Sequence, residues 1–350
     1  VVFLGVVFCI IGMLFLSRVS MLQIKKGSEY FQISERNSLK AEPLFADRGV
    51  IYDRNGIELA WNIVHSKGEA YLERRYIASP GFAHLLGYVS YPEKDSDGHY
   101  WQTEYIGKDG VEDEYNDIIS GKNGARLFET DALGNRKPGS ALNLPEHGTN
   151  LNLTIDSRIQ SKMHEAIVGL ALRAGYTGGA GLIMDVKSGE MIALTSYPEY
   201  DPNVLATGED KETIQGYLLD TTKKPFINRA VSGVYTPGSI VKPFVALGAL
   251  EENIVDPNQS FYSSGELVVP NPYYPELKSI FKDWKQEGHG YTDMRKGPAE
   301  SVDTYFYIIG GGFKDQKGIG IANIEKYTRM FGIASKTGID VEGDKIGNIP

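Results

Sequence analysis

Tyr235-Thr236-Pro237-Gly238-Ser239-Ile240-Val241-Lys242-Pro243-Phe244-Val245-Ala246-Leu247-Gly248-Ala249-Leu250-Glu251 joins a turn to an almost wholly apolar run. Pro and Gly close the preceding segment, and the run predicts a buried helix with Ser239 and Lys242 in its first turn. Residues three apart share a helix face. A desolvated Lys beside a Ser can lose its proton and act as base on the hydroxyl. Pro243 fits there because the first helical N–H groups lack intrahelical partners. The macrodipole and those free N–H groups favour negative charge developing at Ser239.

Ser-x-x-Lys alone is a weak pattern, and it recurs at Ser279-Ile280-Phe281-Lys282. That copy lies among polar residues ahead of Gly288-His289-Gly290, where no helix can run far, so Ser279 reads as structural. Another candidate is Glu300-Ser301-Val302-Asp303-Thr304-Tyr305-Phe306-Tyr307. A Ser-x-Asp is usually only a cap. Here it falls 62 positions after Ser239 and ahead of an aromatic helix, which gives it weight.

Upstream, Asn55-Gly56 between apolar-rich runs predicts a hairpin over residues 47–60 with a type I′ turn. Residues 61–150 read as a small irregular strand-containing module. A strand at 151–155 precedes a helix capped by Asp156 or Ser157, with Ile159, Met163, Ala166, Ile167 and Leu170 at helical spacing. Residues 180–185 and 190–196 predict a second hairpin with covered apolar strands. Residues 1–16 (VVFLGVVFCIIGMLFL) are apolar and as a helix span about 24 Å. A bilayer core is about 30 Å thick, so a membrane anchor with a few further residues upstream is expected. A cleavable signal peptide would end in small residues, and Ser17-Arg18-Val19-Ser20 offers no such site. Residues 17–42 read as a juxtamembrane helix or extended stalk.

The chain has 350 residues, 36 Lys plus Arg against 45 Asp plus Glu, and a net charge of −9. That balance opposes nucleic-acid binding, which needs a basic face. A single Cys, Cys9, excludes an intrachain disulfide and a Cys-rich zinc site.

Taken together, Ser239-Ile240-Val241-Lys242 and Ser301-Val302-Asp303 make the chain resemble the class B penicillin-binding proteins, which carry S-x-x-K with S-D-N and K-T-G. The resemblance extends to Arg48-Gly49-Val50-Ile51-Tyr52-Asp53-Arg54-Asn55-Gly56, Gly107-Lys108-Asp109-Gly110-Val111-Glu112, Leu153-Thr154-Ile155-Asp156, Tyr197-Pro198-Glu199-Tyr200-Asp201-Pro202-Asn203 and Asn228-Arg229-Ala230. Asp283-Trp284, Gly288-His289-Gly290 and Ser301-Val302-Asp303 point to the elongation type. The resemblance implies an α+β fold. Residues 1–17 are a single transmembrane anchor, 18–150 a β-containing pedestal, and 151–350 an incomplete transpeptidase domain with helices packed on an antiparallel sheet.

It further implies a peptidoglycan D,D-transpeptidase that cross-links stem peptides ending in D-Ala-D-Ala and binds β-lactams. Ser239 is then the nucleophile, Lys242 the base, Ser301 the proton relay, and Asp303, where most relatives place Asn, a substrate amide ligand. No cofactor or metal is implied. Partners are a multi-spanning glycan polymerase and other elongation-complex proteins, at the plasma or inner membrane with the main domains outside the cytoplasm.

Lys336-Thr337-Gly338 imitates the third motif but follows a predicted helix at 321–331, ended by Gly332, so it reads as a loop. The true third motif is expected after Pro350, and residues 180–196 then form a sheet with an unpaired apolar edge. Asp283 and His289 could join a Cys in a zinc site, but Val302 stands at that position, so His289 reads as a hydrogen-bonded structural residue. A β-lactamase or β-lactam sensor is the first competing function; Glu325 lies on a predicted helix and supplies no deacylating base. A non-enzymatic membrane scaffold is the second.

Overall fold

The computed structural model describes residues 2–27, 39–130 and 136–349. It falls into two compact units, Val1–Phe226 and Ile227–Pro350. In the first, helix α1 (Val2–Ser20) runs into one π-helical turn at Met21–Lys25. Among the described residues no helix is long and apolar enough to cross a membrane, so the expected span over residues 1–17 is not shown. The expected stalk over residues 17–42 lies in part outside the described residues.

Strands β1 (Leu39–Leu44), β2 (Ile51–Tyr52), β3 (Glu58–Val64) and β4 (Leu72–Tyr76) lead to a short helix α2 (Gly110–Glu114). Strands β5 (Gly124–Thr130), β6 (Arg136–Asn143) and β7 (Leu151–Asn152) follow. One sheet has the order β1-β5-β6; the other is β7-β2-β3-β4, with β7 parallel to β2. A core of Ile51, Leu59, Tyr76, Phe82, Leu86, Val111, Ile119 and Ile155 ties the second sheet to its neighbours.

The hairpin at 47–60 forms, but its turn is not type I′. Gly56 has φ +80°, whereas Asn55 is not among the positive-φ residues. A type I turn with Gly56 N–H bonded to Asp53 O is used instead, because the Asp53 carboxylate accepts from Asn55 N at 2.8 Å and Ile57 N at 2.9 Å.

Helix α3 (Ser157–Ala174) starts at Asp156, whose side chain caps Arg158 N and Ile159 N, and ends at Gly175 in the left-handed region. Its buried residues are Ser157, Gln160, His164 and Ala171, not the five apolar positions of the sequence reading. Leu170 is 53% and Ile159 39% exposed. The polar side chains win the interior because each finds a partner: Gln160 Oε1 accepts from Leu194 N at 2.7 Å, and His164 Nδ1 lies 2.9 Å from Thr195 Oγ1. Burial holds the His164 pKa below its ordinary value. The predicted second hairpin is present as β8 (Gly179–Met184) and β9 (Met191–Tyr197), which among the described residues pair only with each other; β9 is covered as expected, but Leu182, Ile183 and Met184 of β8 are exposed. Met163 and Ile167 of α3 lie over Gly179 and Gly181, where any Cβ would come within about 3 Å of them.

The second unit holds α4 (Lys242–Glu251), β10 (Phe261–Ser263), β11 (Glu266–Pro270), β12 (Lys278–Lys282), β13 (Gly290–Thr292), α5 (Asp303–Gly311) and α6 (Ile321–Met330). Strand β10 pairs with β13 and β11 with β12, both antiparallel. Val245, Ala246 and Ala249 of α4, Tyr305, Phe306 and Ile309 of α5, and Tyr327 of α6 form its core with Val302. Gly248 makes that approach possible, since a Cβ there would sit 2.6 Å from Ile319 and 2.7 Å from Tyr327.

Candidate active site

Ser239 does not stand in the α-helix. It lies in a 3-10 turn, Gly238–Val241, and the α-helix begins at Lys242 with Pro243 in its first turn. Such turns commonly lead into α-helices. Gly238 enters it with φ +64°, and Lys242 N bonds Ser239 O. Ser239 is solvent-exposed while Lys242 is buried, so the expectation of a buried Ser gives way to a hydroxyl at the surface beside a covered amine.

Lys242 Nζ reaches across to the second motif. It donates to Ser301 O at 2.9 Å, to Ser301 Oγ at 3.0 Å and to Asp303 Oδ1 at 2.5 Å. It also lies 5.4 Å from the centroid of the Phe306 ring. The Lys242 and Asp303 side chains are 11% and 25% exposed, so the pair is shielded but reachable. Ser301 has φ +53°, left-handed for a residue with a Cβ. Val302, extended and wholly buried, anchors the turn, and α5 starts at Asp303. The structure thus brings Lys242, Ser301 and Asp303 into one cluster, with Ser239 three residues from its centre. Asp303, read as a substrate ligand, is bound to Lys242 here.

Behind the cluster lies a group that the sequence reading only touched. Asp283 Oδ2 accepts from Thr304 N at 3.0 Å and lies 3.0 Å from Thr304 Oγ1, which is 2.8 Å from Ser263 Oγ. His289 Nδ1 donates to Glu300 Oε2 at 2.8 Å, and its Nε2 lies 3.3 Å from Asp283 Oδ1. Burial raises the Asp283 pKa, but the Thr304 hydrogen bonds outweigh it and hold the carboxyl below its usual range. The His289 hydrogen bond does the same for Glu300. Among the described residues no group of three or more His, Cys, Asp or Glu is arranged to hold a metal ion. Glu300, Thr304 and Ser263 were missed; Glu300 adjoins Ser301, but nothing local in the sequence pairs Thr304 with Asp283.

Neither of the other two candidate motifs takes part in the Lys242 contacts. Ser279 and Lys282 lie on exposed strand β12, where positions three apart point to opposite faces. Lys336 is exposed on a loop after α6, and the next two amides, Thr337 N and Gly338 N, bond Asp344 Oδ2 at 2.7 and 3.2 Å.

A lysine of one serine motif bound to the serine of a second, 59 positions further on, is the arrangement of the family suggested by the sequence. A family model described as the penicillin binding protein transpeptidase domain matches residues 179–350, and one described as the penicillin-binding protein dimerisation domain matches residues 66–153. The chain belongs to the penicillin-binding proteins. Among its relatives, peptidoglycan D,D-transpeptidase MrdA of Haemophilus influenzae is 32% identical over 93% of this chain and 47% of that protein. Among solved structures, PBP2 of Helicobacter pylori, in complex with MreC, has 25% identity and a TM-score of 0.70, covering 89% of this chain and 69% of that one. Pseudomonas aeruginosa PBP2 in complex with WCK 5153 has 28% identity and a TM-score of 0.66, covering 88% and 60%. The chain spans about half the length of the Haemophilus relative.

Proposed function

We propose that the chain carries the serine-bearing part of a peptidoglycan D,D-transpeptidase that cross-links stem peptides through an acyl-enzyme on Ser239. The observation that carries this reading is Lys242 Nζ, three residues after Ser239 in the chain, bound at once to Ser301 Oγ and Asp303 Oδ1. As an ammonium, Lys242 directs its three protons to Ser301 O, Ser301 Oγ and Asp303 Oδ1. As a neutral amine it has a lone pair that can take the Ser239 proton. Ser239 Oγ then adds to the carbonyl carbon of the penultimate D-Ala. The C–N bond to the terminal D-Ala breaks, and the leaving amine takes a proton passed from Lys242 through Ser301. The amine of a second stem peptide attacks the ester, gives up its proton along the reverse route, and frees Ser239. Asp303, acceptor-only when ionised, can take a substrate amide N–H if Lys242 turns away. No cofactor enters these steps.

The proposal includes an anchor over residues 1–17, a pedestal over 18–150 and a transpeptidase domain over 151–350, with the main domains outside the cytoplasm at the plasma or inner membrane. The apolar run of residues 1–16 and the two family matches support it. Elongation-complex proteins, including a multi-spanning glycan polymerase, are its expected protein partners; the Helicobacter relative was solved with MreC. The test is covalent labelling of the full-length protein by a fluorescent penicillin. Ser239→Ala is expected to abolish labelling and Ser279→Ala to leave it near wild type. Labelling that survives Ser239→Ala, or is lost in a folded Ser279→Ala, overturns the assignment.

A further inference from the structure

We propose that Asp283, His289 and Glu300 form a clamp that holds the Ser301 hydroxyl against Lys242, which makes them positioning residues for the acyl transfer; this rests on the roles given above to Ser239, Lys242 and Ser301. The segment 300–304 is gripped at both ends. At one end Glu300 accepts from His289 through its side chain at 2.8 Å and from Trp284 Nε1 through its backbone oxygen at 3.2 Å. At the other end Asp283 Oδ2 takes the Thr304 N–H at 3.0 Å. His289 links the grips, its ring 5.3 Å from Trp284 and its Nε2 3.3 Å from Asp283 Oδ1. All three holding side chains come from residues 283–289, and Lys296 Nζ fixes that loop by donating to His289 O at 2.5 Å.

Between the grips stands Ser301 at φ +53°. A left-handed conformation in a residue with a Cβ persists only where its surroundings over-determine it, and such strain concentrates at functional sites. With one grip opened, Ser301 can relax toward the right-handed or extended regions, and that rotation carries Oγ away from its 3.0 Å contact with Lys242. None of the three clamp side chains is hydrogen-bonded to Lys242, so their effect on it passes through Ser301. Asp283 and His289 are closed off, at 0% and 1% side-chain exposure, but Glu300 is 45% exposed. Glu300 is therefore where the clamp can be opened with little disturbance of the fold.

The experiment uses the full-length protein and a fluorescent penicillin, separating the first-order acylation constant from the non-covalent binding constant in a rapid-mixing series, with a thermal midpoint for each variant. Glu300→Ala is expected to slow acylation about tenfold, with non-covalent binding within about twofold and the midpoint nearly unchanged. Glu300→Gln keeps an acceptor oxygen for His289 and is expected to restore the rate to within about threefold of wild type. His289→Gln is expected to slow acylation at least as much as Glu300→Ala. A wild-type acylation constant in Glu300→Ala, or a loss in both Glu300 variants that only follows a fallen midpoint, overturns the clamp. Ser239→Ala is run alongside. Labelling in that variant fails the underlying reading, whereas an unlabelled Ser239→Ala with a wild-type rate in Glu300→Ala sinks the clamp alone.

Discussion

Glu112 in the first unit is enclosed by Arg48 and Arg74, and all three side chains are wholly buried. Lys242 in the second unit is enclosed by Ser301 and Asp303, which leave it a little open to solvent. The first cluster is closed on itself. Arg48 Nε and Arg74 Nε meet the two Glu112 oxygens at 2.6 and 2.7 Å, and Asn116 and Asn62 take further guanidinium protons at 3.0 Å. Burial alone would raise the Glu112 pKa, but the two guanidiniums hold it below the ordinary value. Guanidinium suits such a place because it does not give up its proton. The second cluster is centred on an amine that can, one turn from an exposed hydroxyl. The same kind of short charge contact thus serves architecture when sealed and, in the reaction proposed above, proton transfer when one side stays open.

The sharpest way to break that contrast is at Glu112. Glu112→Gln leaves two buried guanidiniums short of their counter-charge, and breaking a buried pair in this way costs about 3–5 kcal/mol. For a unit of about this size each kcal/mol moves the midpoint by about 2–4 °C, so a fall of roughly 6–20 °C is expected by calorimetry. A shift under about 2 °C would mean that the cluster does not hold the first unit together.

Lys242→Arg reverses the test. The charge and the pairing with Asp303 are kept, but the side chain can no longer act as a base. Acylation is expected to fall more than about a hundredfold, or about 2.8 kcal/mol in barrier, with a midpoint close to wild type. A rate within about tenfold of wild type would reduce Lys242 to a scaffold for Ser239 and erase the difference between the clusters.

Which contacts the sequence reading could anticipate follows from the range of each interaction. Ser239 and Lys242 are neighbours on one turn, and the apolar run behind them separates this match from Ser279, so the choice was local. Ser301 and Asp303 could be picked because a second short motif precedes an aromatic helix. The grip of Asp283 on Thr304 and of Glu112 on Arg48 joins residues 21 and 64 positions apart, and no spacing rule reports such pairs. The face of α3 was misjudged for another reason. Periodicity ranks residues by hydropathy, but Gln160 and His164 are covered because β9 offers them hydrogen bonds, while Ile159 and Leu170 lie on a face left open. The Asn55-Gly56 turn was misread because the Asp53 carboxylate chose the turn type.

A milder test compares the closed cluster with a third site. Asp53 accepts hydrogen bonds from Asn55 N, Ile57 N, Ser157 N and Ser157 Oγ, tying the first hairpin to the start of α3. Burial raises its pKa, but these bonds outweigh it and bring the carboxyl down to about 2 from 3.8. A group whose folded pKa is depressed stabilises above its unfolded pKa, and that contribution fades as pH falls through the folded one. Asp53→Asn is therefore expected to cost about 2 kcal/mol at pH 7, with the gap to wild type constant down to about pH 4 and narrowing toward pH 2. Denaturant titrations across that range check it, and a gap that does not narrow would show that shape, not charge, sets the contribution.

The smallest effect is expected at Lys336, and it decides whether the open cluster has a further cation. If Lys336 bound the substrate carboxylate, a charge-assisted contact of roughly 1.5–3 kcal/mol would vanish in Lys336→Ala. Acylation would then slow about 10–100-fold. The residue instead lies exposed on the loop after α6, where Ala334 at φ +61° and the Asp344 carboxylate shape the backbone without using the Lys336 side chain. Substitutions at such surface positions usually stay within about 0.5 kcal/mol, so the second-order acylation rate is expected to change by less than about threefold. A drop beyond tenfold at an unchanged midpoint would place Lys336 at the substrate. The open cluster would then draw on a loop that the present geometry leaves outside it.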